Sequence, residues 1–410
     1  MALSKRFRRV PVMTAIPFSV SRLALARLAF RPFFLLAALF GIAALMVWLA
    51  FWHGDVLLRP HGGMLWWHQH EMLFGFGAAV VAGFLLTAVQ NWTGRPSLRG
   101  GPLLALVMLW LAARWVLAFP MGLPAWGPML IDASFLAVVA GVVARLVIVA
   151  RRWRNLILLP VVALLILANL AMHLGILQGD GLLVRQGAHL AVLLITALMV
   201  VLGGRVIPMF TANRLGRAKP RPLPWLEGLA LVGMAAVLVA QLAVLLGAAL
   251  PGEAIAGLMG VAALANTLRL ARWGGIHTLG EPLLWGLHAS YAAIPVGLGM
   301  WALAALGLLR VELAVHALTI GGMGTMMLAM MSRVSLGHTG RAIETLPGIG
   351  VALGLLVAAA LLRSPVLALF PGLTHLTYSV TIILWCLAYA IFLLHYGVPL
   401  ATPRVDGKDG

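Results

Sequence analysis

Three histidines recur in step along this chain, and an imidazole nitrogen is a ligand for copper, zinc or haem iron. His70, His189 and His316 each open an apolar stretch that closes on a Gly-Arg step. From His70 to Thr93-Gly94-Arg95 and from His316 to Thr339-Gly340-Arg341, histidine and threonine stand 23 residues apart in both copies. The copy running from His189 through Gly203-Gly204-Arg205 to Arg217 keeps the pattern but not the count. Imidazoles at one depth on separate helices can converge on a metal or a haem, which makes His70, His189 and His316 the metal-ligand candidates.

Two further histidines join them as cofactor-binding candidates. His68 precedes His70 by two residues, so on a regular helix the two rings point roughly 200° apart and only one can face a given partner. Glu71 follows His68 by three residues, on its side of the helix, where a carboxylate can accept an imidazole N–H. Phe74 stands where a His-Glu-x-x-His zinc motif would need its second histidine, so that reading fails. His288, a few residues into the ninth span, fits a second, inner site or an interhelical hydrogen bond. Arg205 and Thr319, with Glu71, are the residues expected to support the ligands. The run Ala317 to Thr325 holds three glycines, and such small residues admit either a neighbouring helix or a flat macrocycle. Against each assignment stands a plainer one: an imidazole near a membrane interface can simply hydrogen-bond a neighbour, a reading strongest for His53, His61 and His375.

The elements that must position these residues are membrane helices. Of the 410 residues, 62% are hydrophobic and 10% charged, whereas about a quarter of a soluble domain is charged. Stretches of about 20 apolar residues suffice to cross the hydrocarbon core. Twelve are present, at 33–52, 66–89, 101–119, 127–150, 155–175, 184–209, 225–248, 252–272, 283–307, 311–332, 346–370 and 373–397. The three histidines therefore head helices two, six and ten, a four-helix period. The layout expected is a basic segment over 1–32, a membrane domain over 33–397 and a tail over 398–410.

A net charge of +18 would suit a nucleic-acid partner, but the placement of the cations argues otherwise. With the N-terminus cytoplasmic, 24 of the 29 Lys and Arg fall in cytoplasmic segments, against Arg59, Arg185, Arg310 and Arg363 at the other face and Arg114 inside helix three. This is the positive-inside bias, which puts both termini in the cytoplasm and excludes nucleic acid as the partner. Residues 1–31 run straight into a full-length span and carry no cleavable signal. The sole cysteine, Cys386, lies within helix twelve, which rules out an intrachain disulfide and a thiolate-held cluster. No Cys-x-x-Cys-His is present for covalent haem, and acids are nearly absent from span interiors, which leaves no carboxylate relay.

Several segments together resemble the NnrS family: Trp67 to Phe76, Asn91-Trp92-Thr93-Gly94-Arg95-Pro96, Gly203 to Thr211, and His316 through Arg341. The resemblance covers nearly the whole chain. It implies a polytopic protein of the bacterial inner membrane, containing haem b and copper, that answers nitric oxide and nitrosative stress. The three-fold recurrence is also similar to haem-copper oxidase and nitric oxide reductase large subunits, in which twelve helices form three arcs of four. Helix seven here has no histidine and helix ten no second one near His316, so a complete oxidase-type set cannot be assembled. The expected ligation is haem between a helix-two histidine and His316, with His189 on a neighbouring copper or the second axial position. Nitric oxide or a related diatomic is the expected ligand, quinol or another donor the electron source. A histidine-lined metal permease and a sensor signalling through its arginine-rich loops are the competing functions.

Overall fold

A computed structural model describes residues 23–124, 126–153 and 158–408, so most of the basic segment expected over 1–32 lies outside the described residues. Among the described residues there are twelve helices long and apolar enough to span a membrane, and no strands. They are α1 Phe30–Trp52, α2 Gly63–Thr93, α3 Gly100–Ala118, α4 Trp126–Val149, α5 Leu159–Gln178 and α6 Gly181–Leu215. The second half comprises α7 Pro224–Leu245, α8 Gly252–Ala271, α9 Pro282–Ala305, α10 Val311–His338, α11 Ile349–Leu369 and α12 Pro371–Ala401. Connections are short, so successive helices run antiparallel and the arginine-rich loops collect at one face of the bundle.

Burial separates the helices into two classes. In α2, α6 and α10, 78, 72 and 72% of the most apolar window is buried, against 28–56% in the other nine. The most buried helices are the ones that carry the recurring histidines, one in each group of four, with the others packed around them. α1 packs between α2 and α12, α5 lies along α6, and α9 along α10.

The histidine-to-arginine repeat has two structural ends. At its start, α2 and α10 widen into π-type turns, Glu71–Gly77 directly after His70 and Ala317–Gly324 directly after His316. Such turns re-aim side chains within an otherwise regular helix. At its end, the Thr-Gly pair stops the helix: Gly94 and Gly340 take φ of +67° and +74°, a left-handed conformation that glycine adopts without Cβ strain. Thr93 and Thr339 each donate to the carbonyl four residues back, at 2.6 and 2.7 Å. Helices α2, α6 and α10 outrun the apolar stretches, to Thr93, Leu215 and His338. Hydropathy marks the hydrocarbon core, whereas backbone hydrogen bonding continues until a left-handed residue breaks it.

α12 likewise runs past 397, to Ala401, and its end is clasped. Arg31 of α1 donates to the carbonyls of Pro399, Leu400 and Thr402 at 3.3, 2.9 and 2.6 Å. The tail then folds onto the end of α10, where Val405 N–H donates to Thr339 O at 3.2 Å and Arg404 donates to His338 O at 3.0 Å.

Candidate functional site

His68 and His70 face opposite sides of α2, and each meets a different set of partners. His70 is fully buried and turns toward α3, α4 and α5. Its Nδ1 lies 3.1 Å from Glu71 Oε1, and its Nε2 lies 3.1 Å from both Asp132 Oδ2 and Asn169 Oδ1. Arg114 joins the two acids, donating to Glu71 Oε2 at 2.8 Å and to Asp132 Oδ1. Asn169 Nδ2 donates to Asp132 Oδ2 at 2.6 Å, and His173 Nε2 lies 3.4 Å from the same oxygen. Gly75 makes room for this pairing, since a Cβ there would come within 2.7 Å of Glu71 Oε2 and 2.8 Å of Arg114 Nη1. His70, Asp132 and His173 each offer a ligand atom, all within 4.8 Å of one another, a set that could hold a metal ion.

The cluster reaches the bundle end through ring contacts, one stacked and the others edge-on or tilted. Trp66 lies parallel to His70 at 4.5 Å between ring centres and anchors its Nε1–H on Met172 O at 3.1 Å. His61, in the loop before α2, stands 5.6 Å from His173 and 5.3 Å from Trp66, its backbone N–H fixed on Leu117 O at 2.9 Å. Burial, with the neighbouring His173 and His70, lowers the His61 pKa to about 4, so the ring is neutral at physiological pH.

His68 turns the other way, flat against Trp48 with 4.4 Å between ring centres. It lies within electrostatic range of both His316 of α10 and Arg363 of α11. His316 Nδ1–H donates to Glu312 O at 2.7 Å, which leaves Nε2 with its lone pair. Arg363 is buried over the Tyr378 ring at 3.7 Å and, among the described residues, has no carboxylate within ion-pair distance. Trp52 stacks on Tyr378 at 4.4 Å and lies 5.6 Å from His375, extending an aromatic and imidazole cluster over α1, α2, α10, α11 and α12. The glycines Gly321 and Gly324 are already approached by Ala293, Ala360 and Trp385, so they serve helix packing.

The structure therefore divides the helix-two candidates. His68 lies within electrostatic range of His316, whereas His70, expected with His189 and His316, is engaged by the α3–α5 side because residues two apart point to opposite faces. Glu71 supports His70 rather than His68, re-aimed by the π-type turn that begins at it. His189 lies beside Trp301, 4.9 Å between ring centres, in the field of Glu312. His288 is 2.9 Å from Thr211 Oγ1, an interhelical bond between α9 and α6 near the basic end. Arg205 is exposed near that same end, and Thr319 sits half-buried within the π-type turn of α10.

Arg114, Asp132, Asn169 and His173 were missed as site residues. Arg114 and Asp132 are lone charges inside otherwise apolar spans, a signal of function in itself. Pairing them required knowing that α3, α4 and α5 meet α2 at one depth. The few acids inside the spans are not scattered: Glu71 and Asp132 meet at Arg114.

Below these sites, α1, α2, α6, α9 and α10 line a half-open cavity of about 100 Å³ that is almost wholly apolar and edged by Met199, Met326, Met327, Met330 and Met331. Toward the basic face Arg269 is held by Glu227, by Val200 O at 2.9 Å and by Tyr291 Oη at 3.0 Å.

Twelve apolar helices with buried ionic and imidazole clusters define a polytopic helical membrane protein. Residues 24–404 match the family model described as NnrS protein, and the chain belongs to the NnrS family. Membership ties it to membrane proteins linked to the nitric oxide response. No curated protein matches the chain.

Proposed function

We propose that this chain is a haem b protein of the bacterial inner membrane that binds nitric oxide and relieves nitrosative stress, its termini and arginine-rich loops in the cytoplasm. The observation that carries the reading is that His68 and His316, from two inner helices, lie within electrostatic range of each other and of the buried Arg363. An axial ligand needs a ring nitrogen with no other partner. The Glu312 carbonyl fixes the His316 tautomer and leaves Nε2 bare, and His68 Nδ1 is buried without a hydrogen-bond partner. Arg363 adds a buried cation without a carboxylate, the charge complement of a haem propionate. The residues present thus fit the group, which when bound would supply an iron able to take nitric oxide where one of the two imidazoles gives way.

The chain's own part is to orient and to exclude water. Trp48 holds the His68 ring by stacking, and Trp52 and Tyr378 cover its side of the cluster. Nitric oxide is small and apolar, so it reaches such a site through lipid, and the methionine-edged cavity between the inner helices offers it apolar space. His189, which lies beside Trp301 and within electrostatic range of both Arg185 and Glu312, is the residue proposed for a neighbouring copper. Electrons, where needed, come from quinol or an external donor. A permease would need polar groups through the bilayer; here polar clusters lie toward the two ends with an apolar cavity between them.

The test is haem content of detergent-purified protein by pyridine haemochrome assay. His316→Ala and His68→Ala should each lose most haem while eluting as folded protein, and His70→Ala should retain it. Full occupancy with an unchanged spectrum in His316→Ala would overturn the assignment.

A further inference from the structure

The His70 cluster takes no part in the haem reading, yet its hydrogen bonding is incomplete in a particular way. Asn169 donates its amide to Asp132, so its carbonyl oxygen faces His70 Nε2 at 3.1 Å, alongside Asp132 Oδ2 at 3.1 Å. With Nδ1–H given to Glu71, the Nε2 lone pair would point at two oxygens, a repulsive arrangement unless a cation stands between them. The fixed charges agree: Glu71 and Asp132 face the single guanidinium of Arg114 in a buried, membrane-embedded site.

A proton on His70 would meet that need by itself. The second imidazole, His173, reaches the same Asp132 oxygen from 3.4 Å, a placement that serves an N–H donor or a second ligand nitrogen. Behind it stands His61, whose Nε2 is buried and unpartnered. A metal ion held by His70 Nε2, Asp132 Oδ2 and His173 Nε2 would account for the convergence of two imidazoles on one carboxylate oxygen. With metal–ligand bonds near 2.1 Å, neighbouring ligand atoms stand roughly 3.0 Å apart around an octahedral ion and about 3.4 Å apart around a tetrahedral one. The observed separations of 3.1 and 3.4 Å fall at these values.

We propose that His70, Asp132 and His173 form a binding site for a divalent first-row transition ion, completed by the Asn169 carbonyl and loaded from the 53–62 face through His61. Two imidazoles and one carboxylate, with an amide oxygen and no thiolate or thioether, favour an iron(II)- or zinc-like ion over copper(I). Glu71 holds the His70 ring by its Nδ1–H, the carboxylate–histidine–metal arrangement that fixes tautomer and basicity. Arg114 holds both acids and takes no place on the ion. The site does not depend on the haem assignment, since it shares no residue with the His68 cluster.

Zinc itself is the probe. Protein stripped with chelator, dialysed against micromolar Zn2+ and washed should retain one tightly held zinc per chain by elemental analysis, and zinc-edge X-ray absorption should show two imidazoles among nitrogen and oxygen ligands. His173→Gln should lower zinc affinity at least tenfold, and Asp132→Asn more. His61→Gln should leave the final stoichiometry unchanged but slow loading. His68→Ala and His316→Ala should bind zinc as the parent does, which separates failure of this site from failure of the haem site. The absorption measurement needs no variant, so a misfolded Asp132→Asn cannot shelter the idea. No retained zinc in the parent, a spectrum without imidazole, or equal affinity in His173→Gln would overturn the proposal.

Discussion

At the scale of single residues, the molecule places charge where a bilayer makes it costly, and pairs it. Arg114 is sandwiched near the Phe40 and Trp110 rings and satisfies two acids from different helices. Removing one partner of a buried pair leaves the other uncompensated, a loss of about 3–5 kcal/mol. Arg114→Met should therefore unfold in detergent at markedly lower temperature while leaving haem content close to that of the parent. A melting temperature within a degree of the parent would show that Glu71 and Asp132 find other partners. Part of this site was legible from sequence: opposite facing of His68 and His70 follows from a 100° step, and the structure places them so. The Arg114–Asp132 pair was not, because each lone charge stands out in its own apolar span but the pairing is a property of how α3 and α4 dock on α2.

At the scale of helices, close approaches are set by particular glycines. Gly203 lies against the Tyr291 ring at 3.0 Å from a would-be Cβ, and a Cβ on Gly204 would overlap the Arg269 guanidinium. The Gly-Gly step of α6 is thus the seat of a buried arginine linking α6, α7, α8 and α9, a role invisible to a motif reading that saw only the end of a repeat. Gly204→Ala should displace Arg269 from Glu227 and Tyr291 and lower thermal stability by a few kcal/mol, whereas Gly101→Ala, with open space around its Cβ, should be neutral. Equal melting curves for the two would refute the packing argument. The spans themselves were legible throughout, since twenty apolar residues can hardly do anything else in this chain. Their ends were less so, because α2, α6 and α10 continue as helix beyond the apolar core until Gly94, Gly216 or Gly340 stops them.

Across the whole molecule, the three most buried helices carry the recurring histidines, their neighbours supply Arg114, Asp132, His173 and Arg363, and the C-terminal tail ties α12 to α10. Hydrogen bonding from Arg404, with help from the Lys408 backbone, holds the Asp406 carboxyl below the usual carboxylate range. A carboxyl lowered on folding contributes fully above its unfolded pKa and is lost only as pH falls through the lowered one, so the clasp should persist through the neutral range. Asp406→Asn should speed hydrogen exchange at Val405, whose N–H bonds Thr339, without altering the spans; unchanged exchange there would mean that the turn holds without the clasp. The most direct test of the central claim is the absorption spectrum of the dithionite-reduced, detergent-purified protein before and after nitric oxide. A Soret band that shifts on addition, without sustained nitrous oxide release, is the predicted result, and in His316→Ala the band itself should be largely gone. A parent protein with no Soret band, or with one that does not respond to nitric oxide, would contradict the account.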